Sequence, residues 1–175
     1  GLVPGTRFET LGVGVNHAMK TGTYIDVAGE WLKSDGTRTV GVLTNSDTAL
    51  PVANGASSGR QTLDYDEKSL IVSVNQLLGK SYSLGARYRL TQANLEDSFF
   101  DLPTAVSSGN NDDVTAILHQ MTLYAMYYHR LGFFGQVNSI WTQQSNQDYT
   151  PDIPGDDFWQ FNVYAGYRFW QRRAE

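Results

Sequence analysis

Apolar and polar residues alternate along most of this chain with a period of two. The cleanest stretch is Tyr82 to Gln92, where Tyr82, Leu84, Ala86, Tyr88 and Leu90 oppose Ser83, Gly85, Arg87, Arg89 and Thr91. Successive side chains of a strand point to opposite faces, so this pattern predicts a strand with one apolar and one polar face. Asp157 to Phe169 repeats it: Trp159, Phe161, Val163, Ala165, Tyr167 and Phe169 stand against Gln160, Asn162, Tyr164, Gly166 and Arg168. Weaker versions run over Arg7–Met19, where Glu9 and His17 interrupt the apolar side, and over Thr23–Lys33, Lys68–Leu78, Val114–His129 and Phe133–Gln143.

The intervals between these segments are unequal. Lys20-Thr21-Gly22, Gly79-Lys80-Ser81 and Arg130-Leu131-Gly132 read as tight turns, and strands joined by tight turns are antiparallel. Ser34-Asp35-Gly36 is a further turn signal, with Thr37–Leu43 as a short return strand and Asn45–Arg60 as an exposed loop. The sequence thus predicts long loops at about 34–66, 93–113 and 144–156. Trp170 to Arg173 reads as one more short turn, and Ala174-Glu175 as the stub of another strand. The expectation is one all-β domain over 1–175, with about seven strands plus a stub. Short connections lie at one end and long ones at the other.

Composition narrows the classes. No apolar run approaches the roughly 20 residues of a membrane-spanning helix, but alternating barrel strands average out to a polar score, as the mean hydropathy of −0.36 does here. There is no cysteine, which excludes disulfides and thiolate metal sites. A net charge of −5 and the lack of a basic stripe argue against a nucleic-acid partner. No signal-peptide pattern opens the chain, so the expectation is that one was removed or that this is a piece of a longer protein.

Alternation alone does not say which face is outside. A soluble lipocalin-like barrel keeps apolar residues within, whereas a membrane barrel presents them to lipid. The aromatic residues bear on the choice. With the short turns at the bottom, Trp31, Trp141 and Trp159 fall near the top of the apolar face, and Tyr82, Tyr127, Phe133, Tyr167 and Phe169 near its bottom. Phe133 to Trp141 and Trp159 to Tyr167 each span eight steps. At about 3.3 Å per residue and a tilt near 40°, that is roughly 20 Å of height. An apolar band between two aromatic girdles is the imprint of a bilayer. The sequence therefore predicts an antiparallel up-and-down transmembrane β-barrel with a polar lumen. Asp26, Glu30, Arg87, Arg89 and Arg168 are the lumen candidates, with the two arginines of 87 and 89 either forming an electropositive patch or pairing with Asp26 or Glu30.

The tail Phe158–Glu175 (FWQFNVYAGYRFWQRRAE) and the stretch Val74–Leu90 (VNQLLGKSYSLGARYRL) resemble bacterial outer-membrane β-barrels. They are similar to the C-terminal barrel part of TonB-dependent-receptor-like proteins and to barrels fused to tetratricopeptide repeats. The resemblance implies the outer membrane as location, with the bilayer and lipopolysaccharide as surroundings. It implies porin- or receptor-like transport of a small molecule or polymer. Such barrels continue into further strands, whereas this chain stops at Ala174-Glu175 and carries no recognisable plug domain or TonB box, which predicts a fragment.

Little chemistry stands out. His119 and His129 are ten residues apart on one strand and His17 lies elsewhere, so no compact Ser/His/acid cluster is visible and no enzyme is expected. No cofactor or metal site is expected either. The acidic groups Asp64, Asp66 and Glu67; Glu96, Asp97 and Asp101; Asp112 and Asp113; and Asp148, Asp152, Asp156 and Asp157 lack the spacing of a calcium loop and read as solvated. Three functions remain open. One is transport of a solute or polymer. Another is a structural or adhesive barrel whose loops bind partners, other envelope proteins among them. The third is a soluble ligand-binding barrel.

Overall fold

A computed structural model describes residues 6–45, 53–100, 111–149 and 151–169. They form a single antiparallel sheet of seven strands in sequence order: β1 (Arg7–Ala18), β2 (Thr23–Asn45), β3 (Ala53–Leu78), β4 (Tyr82–Phe99), β5 (Asn111–Tyr128), β6 (Phe133–Gln147) and β7 (Asp156–Tyr167). Every strand pairs with its sequence neighbour, so the architecture is up-and-down. The barrel expected from the sequence is an open sheet here. Among the described residues the two edges, β1 and β7, do not pair with each other.

The three tight turns lie at one end of the sheet. Each carries a glycine at positive φ: Gly22 at 77°, Gly79 at 63° and Gly132 at 102°. That backbone region is open to glycine at no steric cost, which lets the chain reverse within three or four residues. Backbone hydrogen bonds close two of them, from Gly22 to Met19 at 3.1 Å and from Gly132 to His129 at 3.0 Å.

The strands run much further from these turns than the alternation indicates, which corrects the expected loops. Of the expected loop at 34–66, residues 34–45 and 53–66 are strand, and 46–52 lie outside the described residues. Ser34-Asp35-Gly36 makes no turn, and Thr37–Leu43 continues β2 outward instead of folding back. The ladder with β3 is continuous from Thr23↔Gln76 to Thr44↔Gly55 and shifts register only at Asn45↔Ala53. Most of Asn45–Arg60 is therefore strand. In the 93–113 stretch, residues 93–99 and 111–113 are the outer ends of β4 and β5, which pair as far as Ser98↔Asn111, and 101–110 lie outside the described residues. The 144–156 stretch begins as β6, which extends to Gln147. The physical reason is shared. Backbone ladders satisfy their own N–H and C=O groups whatever the side chains are, so strands persist where neither face needs to be apolar and no period marks them. The stub at Ala174-Glu175 and the turn at Trp170–Arg173 lie outside the described residues.

The sheet has no conventional core. No apolar side chain is buried among the described residues, whereas Gln61, Ser69 and Thr91 are. On β3, Leu70, Val74 and Leu78 are exposed, while Ser69 is buried and Ile71, Ser73 and Asn75 are half-buried. The polar face is the better covered one, which is what a sheet curled toward that face produces. The separation is looser at the edges, where Phe8 on β1 and Phe158 and Tyr164 on β7 are exposed on the polar face.

Candidate membrane-facing and lumen-facing surfaces

Register places the expected girdle residues on one face. One ladder row across β2 to β6 holds Val27, Val72, Tyr88, Met121 and Trp141, with Trp159 opposite Trp141 on β7. Trp141 and Trp159 are direct cross-strand partners with ring centroids 6.5 Å apart. Trp31 lies eight residues into β2 and Trp141 eight into β6, so both stand equally far from the turn end. The opposite border is a second aromatic row. Tyr82 and Tyr127 pair at 4.7 Å, Phe133 and Tyr167 meet edge-on at 4.7 Å, and Phe169 packs against Tyr167 at 4.7 Å. Offset and edge-on ring pairs of this kind contribute beyond their area.

Between the two rows this face carries mainly Val, Leu, Ala, Ile and Gly, with His17, Met121, Ser139 and Phe161 among them, and no Asp, Glu, Lys or Arg among the described residues. Val13, Val137 and Val163 are 74, 50 and 74% exposed, the values of surface residues in an aqueous protein. Seven strands at about 4.8 Å and a height near 20 Å give roughly 650 Å² of projected apolar face, above the few hundred Å² a soluble monomer tolerates. One polar pair on this side is self-satisfied, as the Tyr88 hydroxyl and His119 Nδ1 lie 2.7 Å apart.

The upper border is sharp. Trp31 Nε1 donates to Asp66 Oδ2 at 2.5 Å, and Lys68 reaches Asp66 at 3.3 Å. The Trp31 bond, with help from Lys68, holds the Asp66 carboxyl below its ordinary value. A tryptophan with its ring on the apolar side and its N–H on the first carboxylate above suits a position between hydrocarbon and headgroup. Above it, Asp35, Asp64, Glu96 and Asp113 are successive cross-strand partners. These acids therefore sit on strands, not on loops. Among the described residues no three His, Asp or Glu converge in a metal-binding arrangement.

Asp26, Glu30, Arg87, Arg89 and Arg168 all lie on the polar face; of the two arrangements open for Arg87 and Arg89, pairing with Asp26 or Glu30 is not seen among the described residues. Arg89 turns outward to Glu67, at 3.4 Å. Glu67 also accepts from the Tyr65 hydroxyl at 2.6 Å and from Ser69 Oγ at 3.2 Å, and Ser69 and Thr91 share a buried hydrogen bond of 2.8 Å. Burial first, and then the bond to Glu67, push the Tyr65 phenol up to about 12, so it remains a donor at any physiological pH. Arg168 stacks on two rings, with its guanidinium 5.3 Å from the Tyr128 ring and 4.8 Å from the Phe134 ring.

Sequence reasoning missed Glu67, Tyr65, Ser69 and Thr91 as a network because Tyr65 fell inside the expected loop and Glu67 just past its end. It also missed a bridge over β4. The Tyr124 hydroxyl on β5 donates to Asn75 Oδ1 on β3, and its ring lies over Gly85 between them. A Cβ at Gly85 would collide with that ring. The order Asn75–Gly85–Tyr124 was legible only once the register was known.

No protein family, curated protein or solved structure matches the chain. The functional reading therefore rests on these two faces alone.

Proposed function

We propose that this sheet is an arc of a transmembrane β-barrel in a bacterial outer membrane, with the polar face lining a lumen through which a solute passes. One observation carries the reading. The apolar face is the exposed one, it is bordered by aromatic rows roughly 20 Å apart, and the polar face is the sheltered one. A soluble lipocalin-like barrel needs the reverse.

A bilayer leaves no water for unpaired backbone groups, so both edges need partners there. After seven alternating strands, β1 and β7 run in the same direction. Fully antiparallel closure takes an odd number of added strands whose first and last run opposite to β1 and β7. A second copy in the same orientation does not meet that condition, because it would meet each edge in parallel. The charged groups around Glu67 and Arg89 stand level with the upper Trp row, where they meet solute at the mouth. The projecting ribbon of β2 and β3 beyond Asp35 and Asp64 favours a second role, contact with an envelope or external partner.

The test is fractionation followed by electrophysiology on the full-length protein. The expected result is recovery with outer membranes, solubility only in detergent and step conductance in planar bilayers. Recovery as a folded monomer without detergent contradicts the membrane reading. A closed barrel without conductance favours the adhesive role.

A further inference from the structure

The polar face is divided. Its β2–β4 part carries Asp26, Glu30, Glu67, Arg87 and Arg89. Its β5–β7 part is uncharged from Gln120 down to Arg168 near the turn end and carries Gln120, Gln136, Asn138, Gln160, Asn162 and Tyr164, with Phe134, Ile140 and Phe158 among them. Asn138 and Asn162 are direct cross-strand partners, as are Gln136 and Tyr164. Gln160 Nε2 reaches Asn162 Oδ1 at only 3.4 Å, and Asn138 Oδ1 is shielded with no hydrogen-bond partner. Tyr164 is 55% exposed beside them.

We infer that this uncharged half is a track for a neutral polyhydroxylated solute, an oligosaccharide; the inference rests on the lumen assigned above. Primary amides each offer two donors and two acceptor lone pairs, and sugar hydroxyls are likewise donor and acceptor at once. Groups without net charge impose no field that selects ions, so the lining discriminates by hydrogen bonding. The exposed tyrosine ring supplies a flat apolar surface for the C–H face of a sugar ring. Gln136 and Asn138 on β6, and Gln160 and Asn162 on β7, are two residues apart, about 6.6 Å along the strand, so a linear chain exchanges one set of bonds for the next.

The test uses the full-length protein in planar bilayers, with maltohexaose and a polyethylene glycol of equal size as probes. The expected result is a saturable block of conductance by maltohexaose alone, weakened about fivefold by Tyr164→Ala, as loss of one ring contact implies. Gln160→Ala, at an exposed position, weakens it less and guards against misfolding of the first variant. Equal effects of the two probes in a conducting channel overturn the track and leave the channel. Block by a neutral oligopeptide but not by maltohexaose overturns the sugar assignment. Absence of any conductance overturns the track together with the reading beneath it.

Discussion

The two faces of β6 differ in a way that inverts the usual rule for soluble proteins. Phe133 and Val137 on one side are exposed, while Gln136 and Asn138 on the other are half-buried. The backbone is identical for both, so the difference lies in which solvent each side chain suits. Under the proposed membrane reading, β6 turns Phe133 and Val137 to hydrocarbon and Gln136 and Asn138 to water. Neighbours one residue apart should then respond oppositely to the same substitution.

The largest effect is expected at the centre of the apolar band. Val137→Arg should cost about 2–4 kcal/mol in a bilayer, the range for arginine at the midplane of a barrel's lipid face. Gln136→Arg, one residue earlier, should cost far less. Urea unfolding in lipid vesicles measures both, and equal costs would break the comparison. Next comes the bridge across the polar face. Gly85→Val drives its side chain into the Tyr124 ring and should destabilise by about 1–3 kcal/mol, as overpacking does. Tyr124→Ala in the same background should recover part of that loss.

Smaller effects sharpen the borders. Glu67→Gln removes the ion pair with Arg89, whose side chain is 36% exposed. Solvent screening limits such a pair to less than about 1 kcal/mol, so the variant should alter ion selectivity more than stability. The smallest effect is a titration. The Asp66 carboxyl is lowered in the folded protein, mainly by the Trp31 bond. Its contribution is therefore present above the ordinary carboxylate value and is lost as pH falls through the lowered one. Trp31 fluorescence should change in that acidic window and stay flat in Asp66→Asn.

Much of the fold was legible because one face of the band has to be apolar. That apolar face is written in the alternation of Tyr82–Leu90 and Asp157–Phe169, and under the proposed membrane reading the eight-residue spacing from Phe133 to Trp141 follows from the bilayer's thickness. Beyond the band no face is constrained, so β2 past Trp31 carries Ser34-Asp35-Gly36 in extended conformation, where local composition spelled a turn. Tertiary pairing with Tyr65, Asp64 and Leu63 overrode the local preference. The contacts of Trp31 with Asp66 and of Arg89 with Glu67 were illegible for a related reason. They depend on register between strands, which sequence alternation leaves free by any even number of residues.

The central claim is the direction in which each face points, and the chain invites a direct measurement because it contains no cysteine. Single cysteines placed successively from Phe134 to Thr142 in β6, in protein reconstituted into lipid vesicles, can be reacted with a water-soluble maleimide. The account predicts labelling at the even positions, Phe134, Gln136, Asn138, Ile140 and Thr142, and protection at Gly135, Val137, Ser139 and Trp141. Labelling of the odd positions with protection of the even ones would contradict it, because the apolar face would then be turned toward water.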